Sequence, residues 1–113
     1  MGACNFDQIG FGRTFSEAFY QGQRSARQDA EADGLGTNGT ICDITMNGLR
    51  YMPLEGNMTE KAVDDWLDKA WNETQKYEAR WVELTGARAK VYTRSPGRRR
   101  GDKVFLFAGW AHE

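Results

Sequence analysis

The chain has 113 residues, 40% of them hydrophobic and 27% charged, with only two prolines and a formal net charge of −1. That profile fits one globular domain over residues 1–113 and excludes a collagen-like, low-complexity or disordered chain. There is no apolar run of about 18 residues to span a bilayer, nor a basic stretch leading into an apolar one as in a secretory signal, so a cytoplasmic location is expected.

Residues 3–12 read as a first or edge strand, interrupted at Gly10. Thr14 followed three residues later by Glu17 is a capping-box spacing and starts a helix. Phe15, Ala18, Phe19, Gly22, Ala26 and Ala30 fall on one face of it, with Arg24, Arg27, Gln28 and Glu31 outside. Gly34 supplies a left-handed stop, and residues 34–39 turn the chain. Residues 40–46 have strand composition, and Asn47-Gly48 is the dipeptide that type I′ turns prefer, so a hairpin into residues 49–54 is predicted. Asn57 and Glu60 form a second capping box. Val63, Trp66, Leu67, Ala70, Thr74 and Tyr77 then mark the apolar face of a second helix, largely opposite Asp64, Asp65, Asp68, Lys69 and Glu73. Residues 80–84, 87–94 and 103–111 read as three more strands, joined by a turn at Gly86 and a loop over 95–102. The last of these is apolar at both alternating sets of positions, which suits the middle of a sheet or cover on both sides. The order β-α-β-β-α-β-β-β predicts an α+β fold, with two helices packed on one face of a mainly antiparallel sheet.

Catalytic patterns are missing from this sequence. The one histidine, His112, has no plausible serine or cysteine partner. Asp64, Asp65 and Asp68 sit beside Lys61 and Lys69, the pattern of a solvated helix face. Gly34-Leu35-Gly36-Thr37-Asn38-Gly39 matches GxGxxG, but it follows a helix and leads into a predicted strand, the reverse of the order a dinucleotide site needs. Cys4 and Cys42 lack metal-ligand spacing; two reduced thiols are expected, with a bridge between them the alternative. The three glycosylation sequons at Asn38, Asn57 and Asn72 are read as chance. The reading is a non-enzyme with no cofactor and no metal.

Charge is more informative. Residues 88–103 hold seven basic residues and one acid, Asp102, in an otherwise acidic chain. Arg98-Arg99-Arg100 lies between Ser95-Pro96-Gly97 and Gly101, and is predicted to form the tip of a hairpin whose strands carry Arg88, Lys90, Arg94 and Lys103. Such a tip would attract phosphates or an acidic protein surface, with Tyr92 available to stack on a base. The plain alternative is a soluble turn whose charges pair with the acidic helices of the same chain. Those helices offer a second idea: Glu60, Asp64, Asp65, Asp68 and Glu73, with Asp29, Glu31 and Asp33, could imitate phosphate spacing, although ordinary helix solubility is the better explanation of them. Trp71 lies off the main apolar face and is a candidate exposed anchor for a partner.

The opening Met1-Gly2-Ala3-Cys4-Asn5-Phe6, the helix start Phe15-Ser16-Glu17-Ala18-Phe19, Gly39-Thr40-Ile41 and the terminal Gly109-Trp110-Ala111 resemble small proteins encoded by bacteriophages and their bacterial hosts. That resemblance implies an origin rather than an activity; for a small phage-like protein without an active site, the expectation is a binding protein acting in the host cytoplasm on a bacterial protein or nucleoprotein complex. Inhibition of host defence, as by anti-CRISPR proteins, is one role it permits. No functional residue is carried over by it, and the tip at Arg98, Arg99 and Arg100 is particular to this chain. The expected contact residues are Arg88, Lys90, Tyr92, Arg94, Arg98, Arg99, Arg100, Lys103 and Trp71. A nucleic-acid-binding regulator using residues 88–103 and a virion structural or assembly protein are the alternatives.

Overall fold

The structure is a computed structural model that describes residues 3–34 and 39–112. Strand β1 (Ala3–Gly12) leads into helix α1 (Phe15–Ala32), followed by a short strand β2 (Leu49–Tyr51) and helix α2 (Glu60–Glu73). Strand β3 (Glu78–Leu84), a one-turn helix α3 (Gly86–Lys90) and strand β4 (Lys103–His112) complete the order. The four strands form one sheet in the order β1-β4-β3-β2. Strand β4 runs antiparallel to both neighbours, with Phe6 opposite Gly109 and Trp81 opposite Phe107. β2 is parallel to β3, pairing Leu49 with Ala79. The α+β class holds, and the sheet is mixed.

The doubly apolar final strand explains the layering. Phe105, Phe107 and Ala111 of β4 belong to a core with Ala18, Phe19 and Ala26 of α1. Val104, Leu106 and Ala108, of the opposite parity, belong to a second core with Trp66 and Ala70 of α2. Successive strand residues point to opposite faces, so α1 and α2 cover opposite sides of the sheet rather than one. The cause is handedness: β1, β2 and β3 run the same way, the crossover through α1 moves across the sheet from β1 to β2 and the one through α2 moves back from β2 to β3, so right-handed connections put the two helices on opposite faces.

Local chemistry accounts for the other departures from the sequence reading. In place of a strand at 40–46, residues Ile41–Asp43 and Met46–Gly48 form two 3-10 turns. The Thr40 hydroxyl accepts from Cys42 N, and Asp43 Oδ2 accepts from Gly39 N, local bonds that compete with a ladder. Ile41 and Ile44 are both buried, a spacing of three rather than two, and Gln23 Nε2 on α1 donates to both their carbonyls. Asn47-Gly48 therefore closes a 3-10 turn, not a hairpin. Helix α1 starts as expected, with the Thr14 hydroxyl accepting from Glu17 N at 3.2 Å, and Gly34 follows it at φ 73°. For α2 the cap is Thr59, accepting from Ala62 N, two residues beyond Asn57. Residues 87–94 are not a strand: Ala87, Arg88, Ala89 and Lys90 are good helix formers and make α3. The GxGxxG letters at 35–38 lie outside the described residues.

Close approach of α1 to β1 depends on glycine. A Cβ on Gly10 would overlap the Ala18 carbonyl oxygen, and one on Gly12 would stand 2.7 Å from Ala18 N. β1 is an edge strand, and side chains engage main-chain groups at three residues of one parity along it. Cys4 Sγ donates to Asn5 O, Gln8 Nε2 donates to Ile9 O, and Gln21 Oε1 accepts from Phe11 N.

Candidate functional site

The basic segment is divided between the two sides of the molecule. Arg88 and Tyr92 line a depression of about 230 Å³ on the α2 side, above Ile9 and Leu106 and beside Asp7, Glu60 and Asp64. Tyr92 is half-buried, and its ring lies 6.3 Å from that of Phe11 in a tilted arrangement. Lys90, Arg94, Arg100 and Lys103 are exposed, and none of them lies on the strands of a hairpin except Lys103, the first residue of β4.

Arg98 and Arg99 point the other way, onto α1. The chain from 89 to 102 is a series of tight turns rather than an open tip, with Tyr92 N bonded to Ala89 O, Ser95 N to Tyr92 O, Arg98 N to Ser95 O and Asp102 N to Arg99 O. Asp102 locks the last of these, since its Oδ2 accepts from Arg99 N at 2.8 Å and its carbonyl accepts from Arg98 Nη2 at 3.2 Å. Gly97, at φ 87°, lets the turn lie against α1: a Cβ there would be 2.6 Å from Gln21 Nε2. Gln21 is itself fixed by the bond from Phe11 N, at 2.9 Å.

The result is a surface depression of about 410 Å³ lined by Gln21, Arg24, Ser25, Gln28, Gly97, Arg98 and Arg99. Three guanidiniums and three neutral hydrogen-bonding side chains line it, with no carboxylate. Among the described residues the single ion pair is Lys61–Asp65, at 3.2 Å and exposed on both sides, so Arg24, Arg98 and Arg99 have no carboxylate partner within ion-pair distance. Arg98 Nη1 is buried and lacks a hydrogen-bond partner among the described residues. A buried cationic donor without a partner is costly, and this one marks Arg98 as the most constrained of the three arginines.

Arg24, Ser25 and Gln28 were legible only as the polar side of the first helix. Nothing in the sequence joins them to Arg98 and Arg99, although Arg24 and Gln28 lie one helical turn apart on one stripe.

Trp71 is not an exposed anchor. It is half-buried against the α2-side core, its Nε1 donates to Phe6 O at 2.9 Å, and its carbonyl accepts from Trp110 Nε1 at 2.6 Å. It ties α2 to β1 and β4. Trp71→Phe should therefore cost about 1–2 kcal/mol in denaturant unfolding, the value of a lost part-buried hydrogen bond plus some packing. Ligand binding should be unchanged, and a loss of binding at full stability would return Trp71 to an interface.

Both cysteines are free thiols, and Cys42 Sγ donates to Gln23 O. Among the described residues no group of three or more His, Cys, Asp or Glu is placed to hold a metal ion, and no helix is long and apolar enough to cross a membrane. Comparison with protein-family models, curated proteins and solved structures gives no match.

Proposed function

We propose that the protein is a non-enzymatic binding module that takes hold of phosphate groups of a nucleic acid, free or within a bacterial nucleoprotein complex, through Arg24, Arg98 and Arg99. The observation that carries this reading is the convergence of these arginines, from elements far apart in sequence, on a depression lined without carboxylates. Guanidiniums suit phosphate oxygens because their planar donors bind in pairs. Ser25, Gln21 and Gln28 add the neutral donors that commonly contact phosphate and sugar. The bacterial setting, and the blocking of a host complex as the outcome, come from the sequence resemblance alone.

Fluorescence anisotropy with a labelled oligonucleotide, titrated at salt concentrations from about 50 to 200 mM, tests this. Affinity should fall linearly on a log–log plot. The double substitution Arg24→Ala/Arg99→Ala should flatten the slope by about 1.4 on a single strand, about 0.7 for each phosphate contact removed. Both side chains are exposed, so the melting temperature should hold. Salt-independent binding, or binding indifferent to the double substitution, would overturn the reading. Arg98 is kept out of this variant because its guanidinium also holds the turn through Asp102 O.

A further inference from the structure

The arginine depression continues into a second one of different chemistry. This neighbour, of about 260 Å³, shares Gln21, Arg24, Gly97 and Arg99 with the first. Its remaining lining includes Tyr20, Phe11, Glu17 and Asp102. Tyr20 is 55% exposed although it belongs to a helix whose apolar face is otherwise covered, and its ring is steadied at 5.6 Å from that of Phe19. Arg24 follows Tyr20 by four residues of α1, about 6 Å along the helix axis.

The trough is therefore polar in the sense of a nucleotide. One end is cationic and free of carboxylates, and suits a phosphate. The other has an exposed tyrosine ring with two carboxylates near it, which repel phosphate but accept hydrogen bonds from the amino groups of bases. An aromatic ring beside a cationic groove is the arrangement on which unpaired bases stack. In a duplex the base faces are covered by their neighbours and cannot reach such a ring without being extruded.

Resting on the phosphate-binding reading above, we infer that the ligand is a single-stranded nucleic acid, with one unpaired base stacked on Tyr20 while its phosphate is held by Arg24, Arg98 and Arg99. Tyr20 then gives the site its preference for single strands, and the arginines give it affinity for the backbone.

The test is anisotropy with three probes of equal length: a mixed-sequence DNA single strand, a fully abasic strand, and the duplex of the first. The single strand should bind most tightly. Tyr20→Ala should weaken it about 5- to 150-fold, the range that base stacking on an aromatic side chain spans. Its salt slope and the abasic strand's affinity should stay as in the parent protein. Tyr20→Phe should keep the parent affinity, and Tyr20→Leu, which retains apolar contact with Phe19 but not the aromatic face, should behave like Tyr20→Ala; unchanged thermal melts show that all three variants are folded. If the Tyr20→Ala protein binds the single strand like the parent, or if the duplex or abasic strand binds as tightly as the single strand, the inference falls while phosphate binding stands. If none of the three probes binds, the phosphate-binding reading itself fails and takes this one with it.

Discussion

Replacing Gly10 with alanine should lift α1 from the sheet and destabilise the protein by about 3 kcal/mol or more, above the usual cost of adding a methyl group to a packed interior. Gly10 is not among the glycines at positive φ, so its backbone suits alanine and the whole penalty is contact. The new Cβ would overlap Ala18 O, stand 2.9 Å from Ala18 C and lie 3.1 Å from Phe107 Cε2. Two of those three atoms are main chain and cannot rotate aside. Set against a total stability of about 5–15 kcal/mol for a domain of this kind, the loss is large. Denaturant unfolding should report a lower midpoint, and an unchanged midpoint would mean that α1 does not sit this close to β1. The function should suffer too, because α1 carries Tyr20 and Arg24 to the turn that bears Arg98 and Arg99.

Phe107→Ala should be comparably severe. Phe107 is fully buried at the centre of β4, and its ring meets that of Phe19 on α1 at 5.8 Å in a tilted arrangement. Truncating such a phenylalanine leaves a cavity and costs about 3–5 kcal/mol. For a domain of this length that corresponds to a melting temperature lower by roughly 10 to 30 °C. Phe107→Leu, which keeps more of the volume, should lose less, and the graded series identifies a packing effect. Phe107 lines neither depression of the trough, so oligonucleotide binding measured well below the transition should be retained. Binding lost while the fold persists would show that the site depends on finer positioning of α1 than this packing implies.

The two substitutions also mark what could be read from the chain. The central, doubly covered position of β4 was legible because Val104, Leu106 and Ala108 alternate with Phe105 and Phe107, and a strand that is apolar on both parities needs two covers. The Thr14 cap and the α1 stripe were equally plain, since both are set by local geometry. The placement of α2 was not, because it follows from the parallel pairing of Leu49 with Ala79, a contact between distant segments that leaves no periodic trace. Residues 40–46 and 87–94 misled for a different reason. β-branched residues around Cys42 suggested a strand where Thr40 and Asp43 bond nearby backbone instead, and residues 87–94 read as a strand where the helix propensity of Ala87 to Lys90 decides. For the site, the charge of Arg98 and Arg99 was visible but its direction was not. The turn that Asp102 closes and the approach permitted at Gly97 send these side chains to α1, where Arg24 was waiting in what read as solvent-facing helix surface.

The outer edge of β1 bears on how this protein behaves in company. A ten-residue edge strand is ordinarily an open template onto which another copy can be stitched. Here Asn5 O, Ile9 O and Phe11 N already have side-chain partners from Cys4, Gln8 and Gln21, so an incoming strand would meet an interrupted ladder and would have to displace bonds before gaining any. Growth into fibrils or shells by adding strand to strand is thereby discouraged at three points along one edge. At those three points the edge is closed by the protein's own side chains rather than left for a neighbour.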